Sequence, residues 1–95
     1  MIQEIAVFDI KETDIEKFKT AMPAAIKVIS ASPGFISLKF QQCMEKPTEF
    51  LALIQWETLE DHTIIFRESP LFLEWRAILS PFFNSAPVAK HYNFL

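Results

Sequence analysis

The chain has 95 residues, 51% of them apolar and 14% aromatic, with ten phenylalanines and a formal net charge of -3. That length suits one domain with one core and is too short for two. The acidic balance excludes the basic patch that nucleic-acid binding or docking on an anionic membrane needs.

Residues 2–10 (IQEIAVFDI) are rich in Ile, Val and Phe and read as a strand. They lack the basic region and cleavage site of a signal peptide, and no later apolar run approaches membrane-spanning length, so a cytoplasmic protein is expected. Thr13 with Glu16 forms a capping box that opens a helix, in which Ile15, Phe18, Met22, Ile26 and Ile29 make one apolar stripe. Pro23 falls inside this helix and predicts a kink or a break. Ser32-Pro33-Gly34 ends it with a turn. In residues 35–42 (FISLKFQQ), Ile36, Leu38 and Phe40 alternate with Ser37, Lys39 and Gln41. A turn around residues 45–48 returns the chain into 49–56 (EFLALIQW), which is apolar on both faces: Phe50, Ala52, Ile54 and Trp56 against Leu51 and Leu53. Thr58 and Asp61 form a second capping box, opening a short helix through about Glu68. Ser69-Pro70 supplies an N-cap and a first-turn proline, and Leu71, Phe72, Trp75, Ile78, Leu79 and Phe82 make the next stripe. Pro81 and Pro87 bracket its end, and residues 88–95 (VAKHYNFL) read as the last strand.

The order β-α-β-β-α-α-β defines an α+β class: a ferredoxin-like plait over residues 1–95, with a four-stranded antiparallel sheet and helices on one face. The strands at 2–10 and 49–56 are apolar on both faces, and no element remains to cover the second face. A second copy of the chain is the simplest cover, giving an isologous homodimer with a barrel-like centre.

One glycine, Gly34, cannot build a phosphate-cradling GxGxxG or GxxxxGK[ST] loop. One cysteine, Cys43, forms neither an internal disulfide nor a CxxC motif and reads as a small hydrophobe rather than a nucleophile. His62, beside Asp61, is a candidate general base or orienting donor, against the plainer reading of a helix-lining histidine. His91, mid-strand beside Tyr92, reads first as a structural histidine. The histidines and Cys43 lack HxxxH or CxxC spacing, so no metal site is expected. Glu57, Glu60 and Asp61 suit a helix N-terminus. Arg76, next to Trp75, is a candidate for meeting an anionic ligand or a partner carboxylate. The rings of Trp56, Phe66, Phe72, Trp75, Phe82 and Phe83 are core, or core plus the wall of a ligand pocket between helices and sheet. The sequence leaves strand register open, and with it which of His91, Tyr92 and Gln55 faces such a pocket.

The stretch FLALIQWETLEDHTIIFRESPLFLEW, preceded by SPGFISLKF and followed by HYNF, resembles the antibiotic biosynthesis monooxygenase domain of the dimeric α/β-barrel superfamily. The resemblance spans nearly the whole chain, and its most specific parts are Trp56-Glu57, His62 and the SPLF step. It implies a ferredoxin-like protomer, a homodimer, a cavity between sheet and helices, and oxidation of a small phenol or quinol by O₂ with no metal or flavin cofactor. The haem-degrading branch carries an Asn on the first strand, absent from IQEIAVFDI, and its helical Trp and His positions fall on Phe66 and Arg76 here. A second histidine one turn after the first, found in quinol-oxidising and isomerase members, is also replaced by Phe66.

On this reading His62 accepts or orients a proton, and Arg76 stabilises developing phenolate or superoxide charge. Trp56, Phe66, Phe72, Trp75 and Tyr92 shape the pocket. The alternatives are a polyketide cyclase or isomerase using the same pocket, and a non-catalytic, stress-associated binding module.

Overall fold

The alternating segments become one antiparallel sheet in the computed structural model, which describes residues 1–95. Its strands are β1 (Ile2–Ile10), β2 (Phe35–Gln42), β3 (Glu49–Trp56) and β4 (Phe83–Asn93), in the order β2-β3-β1-β4. Helices α1 (Ile15–Ser30) and α2 (Pro70–Leu79), with a π-helical turn at Asp61–Phe66, cover one face. This is the expected ferredoxin-like α+β plait.

Strand parity decides what the helices bury. Glu4, Ala6, Phe8 and Ile10 of β1 and Phe50, Ala52, Ile54 and Trp56 of β3 are all buried under them. On the opposite face Ile5 pairs with Leu53 and Val7 with Leu51, all four half-buried. No other element of the chain lies over that face, as the sequence indicated.

Several local expectations are corrected. Thr13 does not cap α1: it lies within a 3₁₀ turn at Glu12–Asp14, too early to be the N-cap, and its hydroxyl donates to Asp14 Oδ1 at 3.4 Å. Helix α1 runs unbroken through Pro23. Pro23 and Lys19, whose carbonyl loses its helical donor, are both exposed, so water can satisfy that carbonyl. The buried stripe passes through Phe18, Ala25 and Ile29, leaving Ile26 exposed. In β2 the ladder shifts register between Phe35 and Ser37, so Phe35 rather than Ile36 pairs with Trp56 and Ile36 is exposed. Strand β4 begins at Phe83, before the predicted start at residue 88, and ends at Asn93. It accommodates Pro87 because it is an edge strand, and its register against β1 shifts near Asp9. Asn84 Nδ2 and Ser85 Oγ donate to Asp9 Oδ2 there, at 3.2 and 3.0 Å.

Gly34 adopts φ +79°, in the left-handed region, between α1 and β2. Its carbonyl accepts from Glu57 N–H at 2.8 Å, and a Cβ at this position would overlap the Asp61 carboxyl group. Glycine is therefore required both by conformation and by space.

The rings form two groups bridged by Phe40, which stacks on Trp75 and meets Phe8 and Phe18. Phe8, Phe18, Phe50 and Phe83 close one end of the core, with Phe18–Phe50 centroids 4.9 Å apart and Phe8–Phe83 5.5 Å apart. Trp56, Phe66, Phe72 and Trp75 gather at the other end, where Phe66 meets both Phe72 and Trp75 edge-on.

Candidate functional site

The parity that buries Ala6, Phe8 and Ile10 also buries Glu4, which is 4% exposed. A buried carboxyl needs partners. Trp56 Nε1–H donates to Glu4 Oε1 at 3.0 Å, and His62 Nε2 lies 3.4 Å from the same oxygen. The ladder between β1 and β4 sets His91 opposite Glu4, and His91 Nε2 lies 2.7 Å from His62 Nδ1. Glu4, His62 and His91 thus form a continuous line, hydrogen-bonded between the two imidazoles and at ion-pair distance, 3.4 Å, between His62 and Glu4.

The capping box at Thr58 positions the middle member. Asp61 Oδ2 accepts from the Thr58 N–H and hydroxyl at 3.1 and 3.0 Å, and Asp61 N–H donates to Thr58 Oγ1 at 3.2 Å. The helix it opens winds wide: Arg67 N–H donates to His62 O at 3.1 Å, five residues back. The turn buries His62 and Phe66 side by side. The His62 ring stacks on Trp56, centroids 5.4 Å apart and 24° from parallel.

Burial governs the protonation of this line. It pushes the Glu4 carboxyl up to about 7, against the opposing pull of the Trp56 hydrogen bond and the Arg67 charge. It pushes His62 down to about 4, helped by His91 and Arg67, and lowers His91 as well, with Arg67 adding to the effect. His62 is therefore neutral at pH 7, one ring nitrogen donating and the other accepting.

Beside this line lies a cavity of about 520 Å³ between the sheet and α2. Ala6 of β1 pairs with Ala89 of β4 on its sheet side. Ala6 and Ala89 line it, so the floor is made of methyl groups where larger side chains would fill the space. Phe66, Phe72 and Trp75 wall it; Glu4, His62, Arg67 and Arg76 are its polar or charged side chains. The Arg67 guanidinium lies 5.5 Å from the centroid of Phe72. No three His, Cys, Asp or Glu side chains are arranged to hold a metal ion.

Five of the residues selected from the sequence meet at this cavity: His62, Phe66, Phe72, Trp75 and Arg76. Trp56 does not line it but lies behind, fully buried and bonded to Glu4. Tyr92 is a correction: it pairs with Gln3 on the opposite face and is 48% exposed, because its neighbour His91 holds the inward position. Glu4 and His91 were not selected from the sequence. The signal for Glu4 was a lone carboxylate in phase with the buried apolar residues of β1.

The comparisons with known proteins identify the family to which a fold of this topology, with a ring-lined cavity between sheet and helices, belongs. The family model for antibiotic biosynthesis monooxygenase matches residues 1–78, and the chain belongs to that family. It is 39% identical over 92 residues to the "Uncharacterized protein YczJ" of Bacillus subtilis (strain 168), covering 97% of each chain. Among solved structures, a Bordetella bronchiseptica protein assigned to the same family superposes with a TM-score of 0.95 at 26% identity, covering 99% of this chain and 96% of the other. SnoaB, a cofactor-independent oxygenase from Streptomyces nogalater, shares the fold at a TM-score of 0.80 and 13% identity, covering 98% of this chain and 91% of its own. No helix is long and apolar enough to cross a membrane.

Proposed function

We propose that the protein is a cofactor-independent, monooxygenase-like enzyme that binds a small phenol or quinol in the cavity and oxidises it with O₂. The observation that carries this reading is the aromatic-walled cavity with a buried carboxyl–imidazole pair at its edge. An electron-rich ring that has lost its hydroxyl proton can pass an electron directly to O₂. The protein then has to bind the ring, take the proton and exclude water. Phe66, Phe72 and Trp75 would hold the ring, with Trp56 fixing the carboxyl from behind. His62 would take part in proton transfer, and Arg76 would offset phenolate or superoxide charge. Family membership and the fold shared with SnoaB support the same chemistry.

A homodimer belongs to this reading. Ile5, Val7, Leu51 and Leu53 form an apolar strip on the open face that a second copy would cover, closing a barrel-like centre.

The titratable Glu4–His62 pair also supports a second reading, a cyclase or isomerase that moves protons without O₂. Anaerobic turnover of the same substrate separates the two. The test of the leading reading is O₂ uptake by metal-free protein with a hydroquinone or an anthrone. His62→Ala is expected to lower the rate at least about tenfold. A variant as fast as the wild type removes His62 from the chemistry, and a wild type inert towards these substrates removes the monooxygenase reading.

A further inference from the structure

We infer that Glu4 is the cavity-side proton acceptor, and that His62 and His91 form a wire carrying its proton from the cavity to solvent. The ligand class this requires is a ring bearing an ionisable hydroxyl. That assignment rests on the proposed function; the wire itself rests on geometry alone.

Glu4 lines the cavity, and Trp56 and His62 both engage its Oε1, leaving Oε2 with no protein hydrogen bond. His62 has both ring nitrogens committed, Nε2 towards Glu4 and Nδ1 towards His91, so it suits a relay better than a terminal base. His91 is the half-buried outer member. The charged and titratable groups around Glu4 are His62 from the π-helical turn, Arg67 just after it, His91 from β4 and Arg76 from α2; β3 contributes only the Trp56 N–H. The arginines supply positive charge that cannot itself carry the proton away.

Once the 3.4 Å contact between His62 and Glu4 closes to hydrogen-bond length, two patterns satisfy every member of the line. With Glu4 ionised, His91 Nε2–H donates to His62 Nδ1, and His62 Nε2–H donates to Glu4 Oε1. With Glu4 neutral, its O–H donates to His62 Nε2, and His62 Nδ1–H donates to His91 Nε2. A substrate hydroxyl gives its proton to Oε2: the substrate O–H bond breaks and a Glu4 O–H forms. A half-turn about the Glu4 Cγ–Cδ bond exchanges the two oxygens, presents that O–H to His62 and leaves Trp56 an acceptor. His62 can accept it only with its own hydrogen on Nδ1, so each ring first gives up its Nε2 proton and takes one on Nδ1 by exchange with water, which sets the second pattern. The Glu4 proton then passes to His62 Nε2 as the Nδ1 proton passes to His91 Nε2. His91, now an imidazolium, releases its Nδ1 proton to water, and the first pattern returns with Glu4 ionised. No electrons move in these steps. Burial supports them by holding Glu4 near 7 and keeping His62 neutral between transfers.

The test is NMR of the histidine ring nitrogens and the Glu4 carboxyl carbon in labelled, ligand-free protein across a pH series. The expected result is a single transition near pH 7 in which Glu4 gains its proton and His62 switches from the Nε2–H to the Nδ1–H tautomer. In Glu4→Gln, which keeps an oxygen acceptor for Trp56, the switch is lost. A His62 tautomer that stays fixed while Glu4 titrates, or still switches in Glu4→Gln, overturns the wire. With anthrone and O₂, Glu4→Gln is expected to lower kcat by roughly 100-fold. Turnover equal to wild type overturns Glu4 as acceptor. A wild type that oxidises no phenol sinks the oxidase reading alone, since the tautomer switch still decides the wire.

Discussion

His91 stands opposite Glu4 in the β1–β4 ladder, and its Nε2 lies 2.7 Å from Nδ1 of His62, which approaches the Glu4 carboxyl from the other side. A first-strand carboxyl, a helical imidazole and a last-strand imidazole therefore act on one another, and several measurable consequences follow from that contact.

The pH dependence of stability is the first. Glu4 moves from an ordinary 4.5 to about 7 on folding, so the native state holds that proton more tightly, and stability falls as pH rises through this range. His62 moves from 6.5 to about 4, so its contribution falls as pH drops through that range. Between pH 4.5 and 6.5 the slopes oppose: the pair holds one proton in both states, on Glu4 when folded and on His62 when unfolded. Wild-type stability is expected to be nearly flat there. Glu4→Gln removes one slope, so the variant loses on the order of 2 kcal/mol on acidification through the window. The lowered His91 acts in the same direction. Urea unfolding at several pH values measures this.

Trp56→Phe removes the N–H that supports Glu4 Oε1 while keeping an aromatic ring in a fully buried place. That hydrogen bond favours the ionised carboxyl, so its loss should raise the Glu4 titration point above 7. The variant should also lose about 2 kcal/mol of stability. Carboxyl-carbon NMR and denaturant unfolding read the two effects.

Gly34→Ala should cost about 1–2 kcal/mol from the left-handed backbone, plus the displacement of Asp61. Because Asp61 closes the capping box at Thr58, Gly34→Ala and Asp61→Ala should be less than additive in unfolding free energy. Strict additivity would show that the two sites do not communicate.

Leu53→Asp should set a carboxylate in the middle of the open apolar face. The wild type is expected to scatter light at twice the chain mass of 11.0 kDa, and the variant at the single mass. Tyr92→Ala, on the same face, should leave phenol binding in the cavity unchanged.

Much of the fold was legible because period-two and helical patterns report burial directly. The parity of Phe50, Ala52, Ile54 and Trp56 survives unchanged in the structure. Elements failed at their edges, where one local interaction outweighs the pattern: the register shift at Phe35–Ser37, the 3₁₀ turn that absorbs Thr13, the early start of β4. For the site, residues carried by the helical pattern, such as Phe66 and Trp75, could be picked out. Glu4 and His91 could not be joined from the sequence, because their pairing depends on the β1–β4 register, which nothing local specifies.

The pair Ala6 and Ala89 separates what the protein accommodates from how it handles protons. Those methyls lie on the rigid sheet, beside Glu4 but not hydrogen-bonded to it or to the histidines. Exchanging Ala6 or Ala89 for Val or Leu would shorten the compartment by small increments and leave the relay intact. Guest size in this scaffold can therefore drift independently of its acid–base machinery, which gives one way for a single architecture to serve rings of different dimensions.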